Sequence, residues 1–338
     1  MDLKVDPCCW SRPWKVAMAA AAPAMCPLLG DNITDDTLLH IASFLPTAKD
    51  LLSLWLSNRR FSIKCIAAQS GGAAAAPPEM LCIAEEAGRL WVAGCTEQER
   101  GWVPRSELES WLGLMQEVGV LQQPLLFGRR HSSLTKFGDI PFSDSVATKR
   151  HDGSWRSAAS KVVMRSGRHF AQFTLVNGDN MFFGVTRPGW DVEGGATAWV
   201  EDSCFYDTRS GDRYPGQVNW EGKQTAREQG DRIGMLLDLD QGSMTVWKND
   251  VRLGVMQTEG LSGPYCWAVS SVLAATTRID SAPAPASPTD EELAAAKEAA
   301  QEIARRERRE QLGLPLTATD AECEAAEAAQ AAEESDDY

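Results

Sequence analysis

Histidine is the residue most often used for acid–base catalysis, and the four histidines of this sequence follow no catalytic spacing. They are His40, His131, His151 and His169. The sequence also contains no phosphate-binding glycine loop, no Gly-x-Ser-x-Gly turn and no local Cys/His signature. An ordinary surface or hydrogen-bonded histidine is therefore the favoured interpretation of each. The sequence predicts no catalytic residue, and we expect the protein not to be an enzyme.

The sequence also lacks the usual metal-binding patterns. The nine cysteines are odd in number and scattered, and no two are separated by two residues, so neither a disulfide framework nor a zinc site is predicted. The segment DLDQG at 238–242 begins like a calcium-binding loop, but the later acidic ligands and the closing glutamate are missing. A hairpin turn is the better interpretation. We expect no metal and no cofactor, and a reducing setting in the cytoplasm or the nucleus.

Tryptophan is unusually frequent, with 12 residues. Trp190, Trp199 and Trp220 lie in or beside Gly-, Asp- and Glu-rich connections, such as RPGWDVEGG and GQVNWEGKQ. Large amphipathic aromatics on loops are common anchors of peptide-binding surfaces, although each could instead fold inward and fill a loop. Trp247 and Trp267 fall inside strand patterns and are predicted to be core residues.

Composition and charge limit the classes of partner. The chain has 338 residues, 43% apolar and 24% charged, which is typical of a globular protein with room for two domains. Most of the net charge of −14 lies in residues 289–338, which contain 15 Asp and Glu against five Lys and Arg. Because an acidic chain without a basic stripe repels phosphate backbones, we expect no nucleic-acid partner. No apolar run approaches the roughly 18 residues of a spanning helix, so no membrane partner is expected either.

Helical patterns occupy the N-terminal third. The segments TDDTLLHIASFLP and TAKDLLSLWLSNRRFSIKCIAA predict two amphipathic helices and a shorter third one around 61–67. Three short helices over 28–69 enclose only a small core, so this unit is expected to lean on a partner or a neighbouring domain. A flexible extension is predicted over 1–27. A linker and helical block is predicted over 70–128, with helices at 79–94 and at 106–119, the second starting with a capping box from Ser106 to Glu109.

Short β-like runs separated by turn residues follow, over 129–279. The segment GDRIGMLLDLDQGSMTVWKNDVRLGVM at 230–256 predicts a three-stranded antiparallel meander with a tight turn at Asn249 and Asp250. One face of its first strand is apolar: Ile233, Met235, Leu237 and Leu239. One face of its third strand is also apolar: Val251, Leu253 and Val255. Many short strands at this spacing indicate an antiparallel β-sandwich.

The C-terminal region, 280–338, has a composition of its own. A Pro/Ala linker leads into an acidic helical or disordered tail, and the first tail helix is predicted to start with a capping box from Thr289 to Glu292. The basic run RRERR at 305–309 is interleaved with glutamates, which favours a solvated helix face over a nuclear address. The predicted fold class is therefore α+β: a small all-α unit and a helical block, then the sandwich, then the tail.

Two parts of this organisation resemble known families. The segments GRHFAQFTLV, MFFGVTRPGW, GDRIGMLLDLDQGSMTVWKNDVRLGVM and LSGPYCWAVS resemble the SPRY domain over about 150 residues. They include its Gly-Asp-x-Ile-Gly entry and its closing Gly-Pro-x-x-Trp-Ala-Val. The segment ITDDTLLHIASFLPTAKDLLSLWLSNRRFSIKCIA, at 33–67, resembles an F-box, with a Ser-Phe-Leu-Pro break and a following Asp-Leu-Leu.

The order F-box then SPRY resembles the substrate receptors of SCF-type ubiquitin ligases. The resemblance implies that the F-box docks the ligase adaptor, which joins the cullin scaffold, and that SPRY loops hold a short peptide of an unknown target. The adaptor-binding residues implied are Leu38, Leu39, Ile41, Leu51, Leu52 and Phe61. The target-binding residues implied are Trp190, Trp199, Tyr206, Tyr214 and Trp220. The alternative is a non-ligase interaction module whose degenerate F-box, with Ile33-Thr34 in place of the usual Leu-Pro start, only packs against the sandwich.

Overall fold

The computed structural model describes residues 35–45, 47–57, 65–67, 80–104, 110–130, 146–149, 154–178, 180–193 and 201–336. These residues form two compact units. The helical unit falls within Met1–Thr96 and Arg105–Gly119, and the sandwich unit falls within Glu97–Pro104 and Val120–Tyr338. The predicted extension over 1–27 and the linker at 70–79 lie outside the described residues.

The described elements come in three groups along the chain: helices with one short pair of strands, then twelve strands, then two helices. The helices are α1 (Asp35–Ser43), α2 (Ala48–Ser57), α3 (Ile83–Gly94), α4 (Glu97–Gly101), α5 (Trp111–Leu121), α6 (Asp290–Gln311) and α7 (Asp320–Asp336). The strands are β1 (Cys65–Ala67), β2 (Met80–Cys82), β3 (Phe127–Arg130), β4 (Val146–Lys149), β5 (Arg156–Ser160), β6 (Arg168–Asn177), β7 (Met181–Thr186), β8 (Cys204–Asp207), β9 (Arg213–Tyr214), β10 (Arg232–Asp238), β11 (Ser243–Lys248), β12 (Val251–Gln257), β13 (Cys266–Ser271) and β14 (Ala275–Ser281). The fold is α+β.

The helical unit builds its core by packing α1 and α2 against α3. Thr47 starts α2 as its N-cap, because its hydroxyl oxygen accepts a hydrogen bond from the Asp50 amide at 3.2 Å. The side chains of Leu38 and Leu51 are 0% and 1% exposed. Helix α3 comes from the segment that follows the predicted linker, so it supplies the neighbouring support that two short helices need.

Three sequence predictions in this unit are wrong. Residues 65–67 form strand β1 instead of the end of a third helix, because they pair with β2 in an antiparallel ladder that joins Ile66 to Leu81. The helix predicted over 79–94 consequently starts only at Ile83. The helix predicted from Ser106 starts at Trp111, whose amide donates to the Glu85 carboxylate at 2.7 Å. The predicted capping box at 106–109 lies outside the described residues.

The sandwich unit contains two six-stranded sheets in which the paired strands run antiparallel. The first sheet has the order β12-β11-β10-β6-β14-β4, and the second has the order β3-β5-β13-β7-β8-β9. Aromatic rings join the two sheets: Phe173 of β6 stacks on Phe183 of β7 with centroids 5.0 Å apart. Trp267 of β13 meets Phe173 edge-on and is 1% exposed, which confirms it as a core residue. Trp247 is half-buried and meets Phe170 edge-on instead.

The predicted meander is confirmed as β10, β11 and β12. Ile233, Met235 and Leu237 are fully buried in the core, and Asn249 and Asp250 take the left-handed backbone of the tight turn, with φ of 51° and 68°. The single apolar face predicted for β12 is wrong, because two register shifts against β11 break the alternation. As a result the core takes Met256 and part of Leu253, and Val251 is 66% exposed.

The tail is helical, as predicted. The capping box of α6 is present, since the Glu292 amide donates to the Thr289 hydroxyl at 3.2 Å and the Thr289 amide donates to the Glu292 carboxylate at 2.8 Å. No side chain of α6 is buried, which confirms a solvated helix. Arg308 of α6 makes a bidentate ion pair with Glu327 of α7, at 2.7 and 2.8 Å.

Candidate functional site

Loops gather at the end of the sandwich where β7 stops. Antiparallel pairing places the segments after β5, β7, β10 and β12 at this end, and residues 187–193 and 201–203 belong to the connection after β7. The connection after β12, at 258–265, lies at the same end because β13 starts there opposite the end of β7. Loops above a rigid sheet are the usual place for a recognition surface.

Arg187 ties these loops together. Its Nη1 donates to the carbonyl oxygen of Ser262 at 2.6 Å, and its guanidinium lies 4.2 Å from the centroid of the Tyr265 ring. Its Nε is 3.9 Å from the Asp202 carboxylate. Gly263 has a φ of 85°, and a Cβ there would lie 3.1 Å from the Arg187 Nη1. One planar cation therefore joins the connection after β7 to the connection after β12, through a fork of donors and a cation–π contact.

Trp190 sits beside this cation on the same connection. Its amide donates to the Arg187 carbonyl at 3.3 Å, and its own carbonyl accepts from Arg129 Nη1 at 3.1 Å. The second arm of Arg129 reaches the Cys266 sulfur at 3.4 Å. Trp190 is half-buried, and its backbone is held on both sides. This is the geometry of a pre-ordered aromatic contact.

The other aromatics predicted to bind a target lie elsewhere. Trp220 is 5% exposed and belongs to the sandwich core, where its indole nitrogen donates to the Gly211 carbonyl at 2.7 Å. Its ring lies so close to Gly222 that a Cβ there would be 2.4 Å from it. Trp220 therefore folds inward and fills the core, instead of standing on a binding surface. Trp199 lies outside the described residues.

The two tyrosines are buried as well. Tyr206 is fully buried, its hydroxyl donates to the Gln224 carbonyl, and burial raises its pKa above the ordinary range. Tyr214 is 6% exposed and meets Phe182 edge-on with centroids 4.8 Å apart. Tyr214 is in β9 and belongs to a buried cluster against which Val192 packs, whereas Trp220 lies between β9 and β10 and reaches Gly211, beyond the end of β8. The structure therefore does not bring the predicted aromatics together at one surface.

The residues predicted to bind an adaptor also divide by burial. Leu38 and Leu51 are core residues of the helical unit, and Leu39 and Leu52 are half-buried. Ile41 is 44% exposed. Phe44, which the sequence prediction omitted, is 71% exposed and meets the His40 ring edge-on at 4.8 Å. Phe61 lies outside the described residues.

Burial shifts the pKa values of His169, Cys204 and Cys266, which are buried side chains of the sandwich unit. His169 is buried, stacks on Trp102 with centroids 5.6 Å apart, and binds the Ser166 carbonyl at 2.8 Å. Burial lowers the pKa of His169 to about 4. Burial raises the pKa of the Cys204 thiol to about 12 and also raises that of Cys266, so both stay protonated. In the part of the chain that the structure describes, no cluster of His, Cys, Asp and Glu could hold a metal ion.

Sequence reasoning missed Arg187 and Arg129, which hold the Trp190 loop. The only local signal was the run Arg-Pro-Gly-Trp at 187–190, since an arginine before a turn tripeptide can reach back to neighbouring carbonyls. Their partners at 262–266 are distant in sequence, and nothing in a single sequence pairs the two segments.

The comparisons with known proteins find similar solved structures. No family model and no curated protein matches the sequence. The crystal structure of the SPRY domain of human HERC1 is 18% identical, and the match covers 42% of this chain and 91% of that chain with a TM-score of 0.36. The crystal structure of a human SPRY domain is 17% identical, and the match covers 43% of this chain and 97% of that chain with a TM-score of 0.32.

One further property concerns membranes. Among the described helices, none combines the length and the apolar character needed to cross a bilayer.

Proposed function

We propose that this protein is a non-enzymatic interaction module, and that its sandwich is a SPRY-type domain which binds a short peptide segment of a target protein. The observation that carries this proposal is the loop cluster fixed by Arg187, with the half-buried Trp190 beside it. A rigid frame with a partly exposed aromatic loses little entropy when it binds, which suits recognition of an extended segment. The motifs at the start of β10 and at β13 support the family assignment.

The test uses peptides selected from a random display library on the full chain. Trp190→Ala should weaken binding of the selected peptides at least about tenfold, as removal of a central aromatic contact does. Val251→Ala is the control, because Val251 is exposed at the opposite end of the sandwich. Equal affinities of the wild type and both variants would refute a binding surface at Trp190.

We further propose that residues 28–69 dock the adaptor of an SCF-type ubiquitin ligase, which makes the protein a substrate receptor joined to the cullin scaffold. Ubiquitin transfer then belongs to the partner enzyme, and this chain contributes proximity. The supporting feature is the exposed apolar pair Ile41 and Phe44 at the end of α1, since large apolar groups at a helix end suit a protein partner.

A pull-down of the purified full chain with the ligase adaptor tests this docking. Ile41→Asp with Phe44→Asp should abolish capture while the protein stays folded, because neither side chain is in the core. The matched control is Leu90→Asp, which places the same charge on an exposed leucine of α3 in the same unit. Leu38 and Leu51 are unsuitable, because a buried aspartate would unfold the unit.

The second candidate is an interaction module without a ligase role. It is favoured by the burial of Leu38 and Leu51, because leucines that complete the core of the helical unit are not available to an adaptor. Absence of adaptor capture by a folded wild type would select this candidate and leave the peptide-binding proposal intact.

A further inference from the structure

Ser287 occupies a distinctive position in the sequence. It lies in the irregular segment between β14 and α6, in the context Ala-Ser-Pro-Thr. Of the 17 prolines, Pro288 is the only one that follows a serine or a threonine. Protein kinases that require proline after the acceptor residue bind a Ser-Pro dipeptide. Here Ser287 is half-buried and Pro288 is buried, so such a kinase reaches the dipeptide when the linker leaves the sandwich.

In the fold, Ser287 fastens this linker to the sandwich. Its hydroxyl donates to Oδ2 of Asp238, which is 2% exposed at the end of β10. The other carboxylate oxygen accepts the amides of Asp240 and Gln241, both at 3.0 Å. The Gln241 side chain also donates to the Pro288 carbonyl at 3.4 Å. Neutral donors therefore surround a buried carboxylate, and Ser287 supplies one of them.

Beyond the linker, α6 is held weakly. None of its side chains is buried, although it lies against strand β12 at the edge of the first sheet. Its contacts include exposed ion pairs, between Arg252 and Glu292 at 2.5 Å and between Lys297 and Glu259 at 2.7 Å. Exposed pairs of this kind contribute little each. The docking of α6 therefore depends on the linker that carries it to β12.

We propose that Ser287 is a phosphorylation site for a proline-directed protein kinase, and that phosphorylation releases α6 from the edge of the sandwich. The kinase transfers the γ-phosphoryl group of ATP: the Ser287 oxygen forms a bond to phosphorus, the bond from that phosphorus to the β-phosphate oxygen breaks, and ADP leaves. The hydroxyl proton passes to the catalytic base of the kinase. No other co-reactant is required.

The release of α6 follows from the negative charge that phosphorylation adds at Ser287. A phosphoserine carries about −1.5 to −2 charges at pH 7, so the neutral hydroxyl donor beside the Asp238 oxygen is replaced by an anion. The phosphate would face the Asp238 carboxylate, with the Asp240 carboxylate two residues further on, so the linker must leave this position. The capping box of Thr289 and Glu292 stays, and a phosphate just before a helix N-terminus is favourable. Helix α6 should therefore detach as a helix and uncover the edge of β12.

The experiment treats the full chain with ATP and a proline-directed kinase, counts phosphates by intact mass, and follows hydrogen exchange over residues 282–311. Ser287→Ala is the matched control, because it removes the hydrogen bond and the acceptor without adding charge. We expect one phosphate on the wild type and none on Ser287→Ala. Exchange should be at least about tenfold faster in the phosphorylated chain than in Ser287→Ala, which loses the hydrogen bond to Asp238 but gains no charge and should accelerate exchange less. Asp238→Asn should reduce the acceleration, because it removes the repelling carboxylate.

Two results would overturn the proposal. One is a full chain that stays unmodified under conditions in which the urea-unfolded chain is phosphorylated at Ser287. The other is a fully phosphorylated chain whose exchange over 282–311 equals that of Ser287→Ala, which would make the serine a fastening residue and not a switch.

Discussion

At the residue scale, His169 is a buried histidine whose pKa is lowered to about 4 by burial. His169 is enclosed under Trp102, with its ring nitrogen on the Ser166 carbonyl, and Gly167 next to it donates its amide to the Asp240 carboxylate at 2.9 Å. A neutral imidazole satisfies this site, and a charged one would lose hydration without a direct ion pair. The histidine therefore works as a structural group.

This arrangement predicts a pH dependence of stability. The pKa of His169 is about 4 in the folded chain and about 6.5 when unfolded, so between these values the unfolded chain binds the extra proton. The free energy of unfolding should fall as pH drops from 6.5 to 4, by at most about 3 kcal/mol from this group. Urea unfolding of the sandwich across this pH range measures it. His169→Gln should flatten the slope, whereas the exposed His40→Gln should leave it unchanged; equal slopes in all three proteins would contradict the assignment.

Two tryptophans allow a second prediction at this scale. Trp220 fills the core and donates a buried hydrogen bond, so Trp220→Ala should cost about 3–5 kcal/mol of stability. Trp190 is half-buried on a loop, and Trp190→Ala should cost about 1 kcal/mol or less. Denaturant unfolding of both variants gives the comparison. A large loss of stability in Trp190→Ala would mean that its ring supports the fold instead of a ligand.

At the element scale, the sequence predicts a strand correctly when the pattern that defines it lies within the strand itself. The alternation of Ile233, Met235 and Leu237 fixed β10, because a strand with one buried face has a period of two. The bulges that put Met256 in the core are absent from that pattern, since they arise where β12 meets β11. Strand β1 was missed for the same reason: its pairing with β2 overrides the helical pattern of the segment.

The candidate site was predictable only in part. Trp190 and Trp220 occur in similar loop sequences, and Trp190 is half-buried while Trp220 fills the core. The difference comes from Gly222, on a loop, and Gly254, in strand β12. Both leave room for the Trp220 ring, and the sequence does not show that this loop and this strand meet. Arg187 had no pattern of its own, because its acceptors lie about 75 residues away, as the separation in its bond to Ser262 shows.

The loop cluster gives the prediction at the element scale. Arg187→Lys keeps the charge but loses the planar fork that reaches Ser262 and stacks on Tyr265. Residues 258–265 should therefore open more readily, by about 1–2 kcal/mol, and exchange their amide hydrogens faster. Hydrogen exchange of these residues is the measurement, with Arg278→Lys as the control on an exposed pair with Asp280. Unchanged exchange in Arg187→Lys would show that the loops are held by other contacts.

At the scale of the whole molecule, the two units are interleaved in sequence. Residues Glu97–Pro104 belong to the sandwich unit although Met1–Thr96 and Arg105–Gly119 belong to the helical unit. Trp102 anchors this short segment, because its indole nitrogen donates to the Arg168 carbonyl at 2.7 Å. The Ser166 hydroxyl adds a bond to the Trp102 carbonyl at 2.7 Å. A boundary drawn before β3, at the first strand of the sandwich, would remove this anchor.

Trp102→Ala in the full chain tests whether the units are energetically separate. The variant loses a partly buried hydrogen bond and uncovers His169, so the sandwich should be less stable by about 2–4 kcal/mol. Hydrogen exchange can follow each unit in the same sample: β6 and β10 should lose protection, whereas α1, α2 and α3 should keep theirs. Parallel loss of protection in both groups would mean that the chain unfolds as one cooperative unit. The two proposed roles, adaptor docking and peptide binding, could then not be changed one at a time by substitutions in either unit.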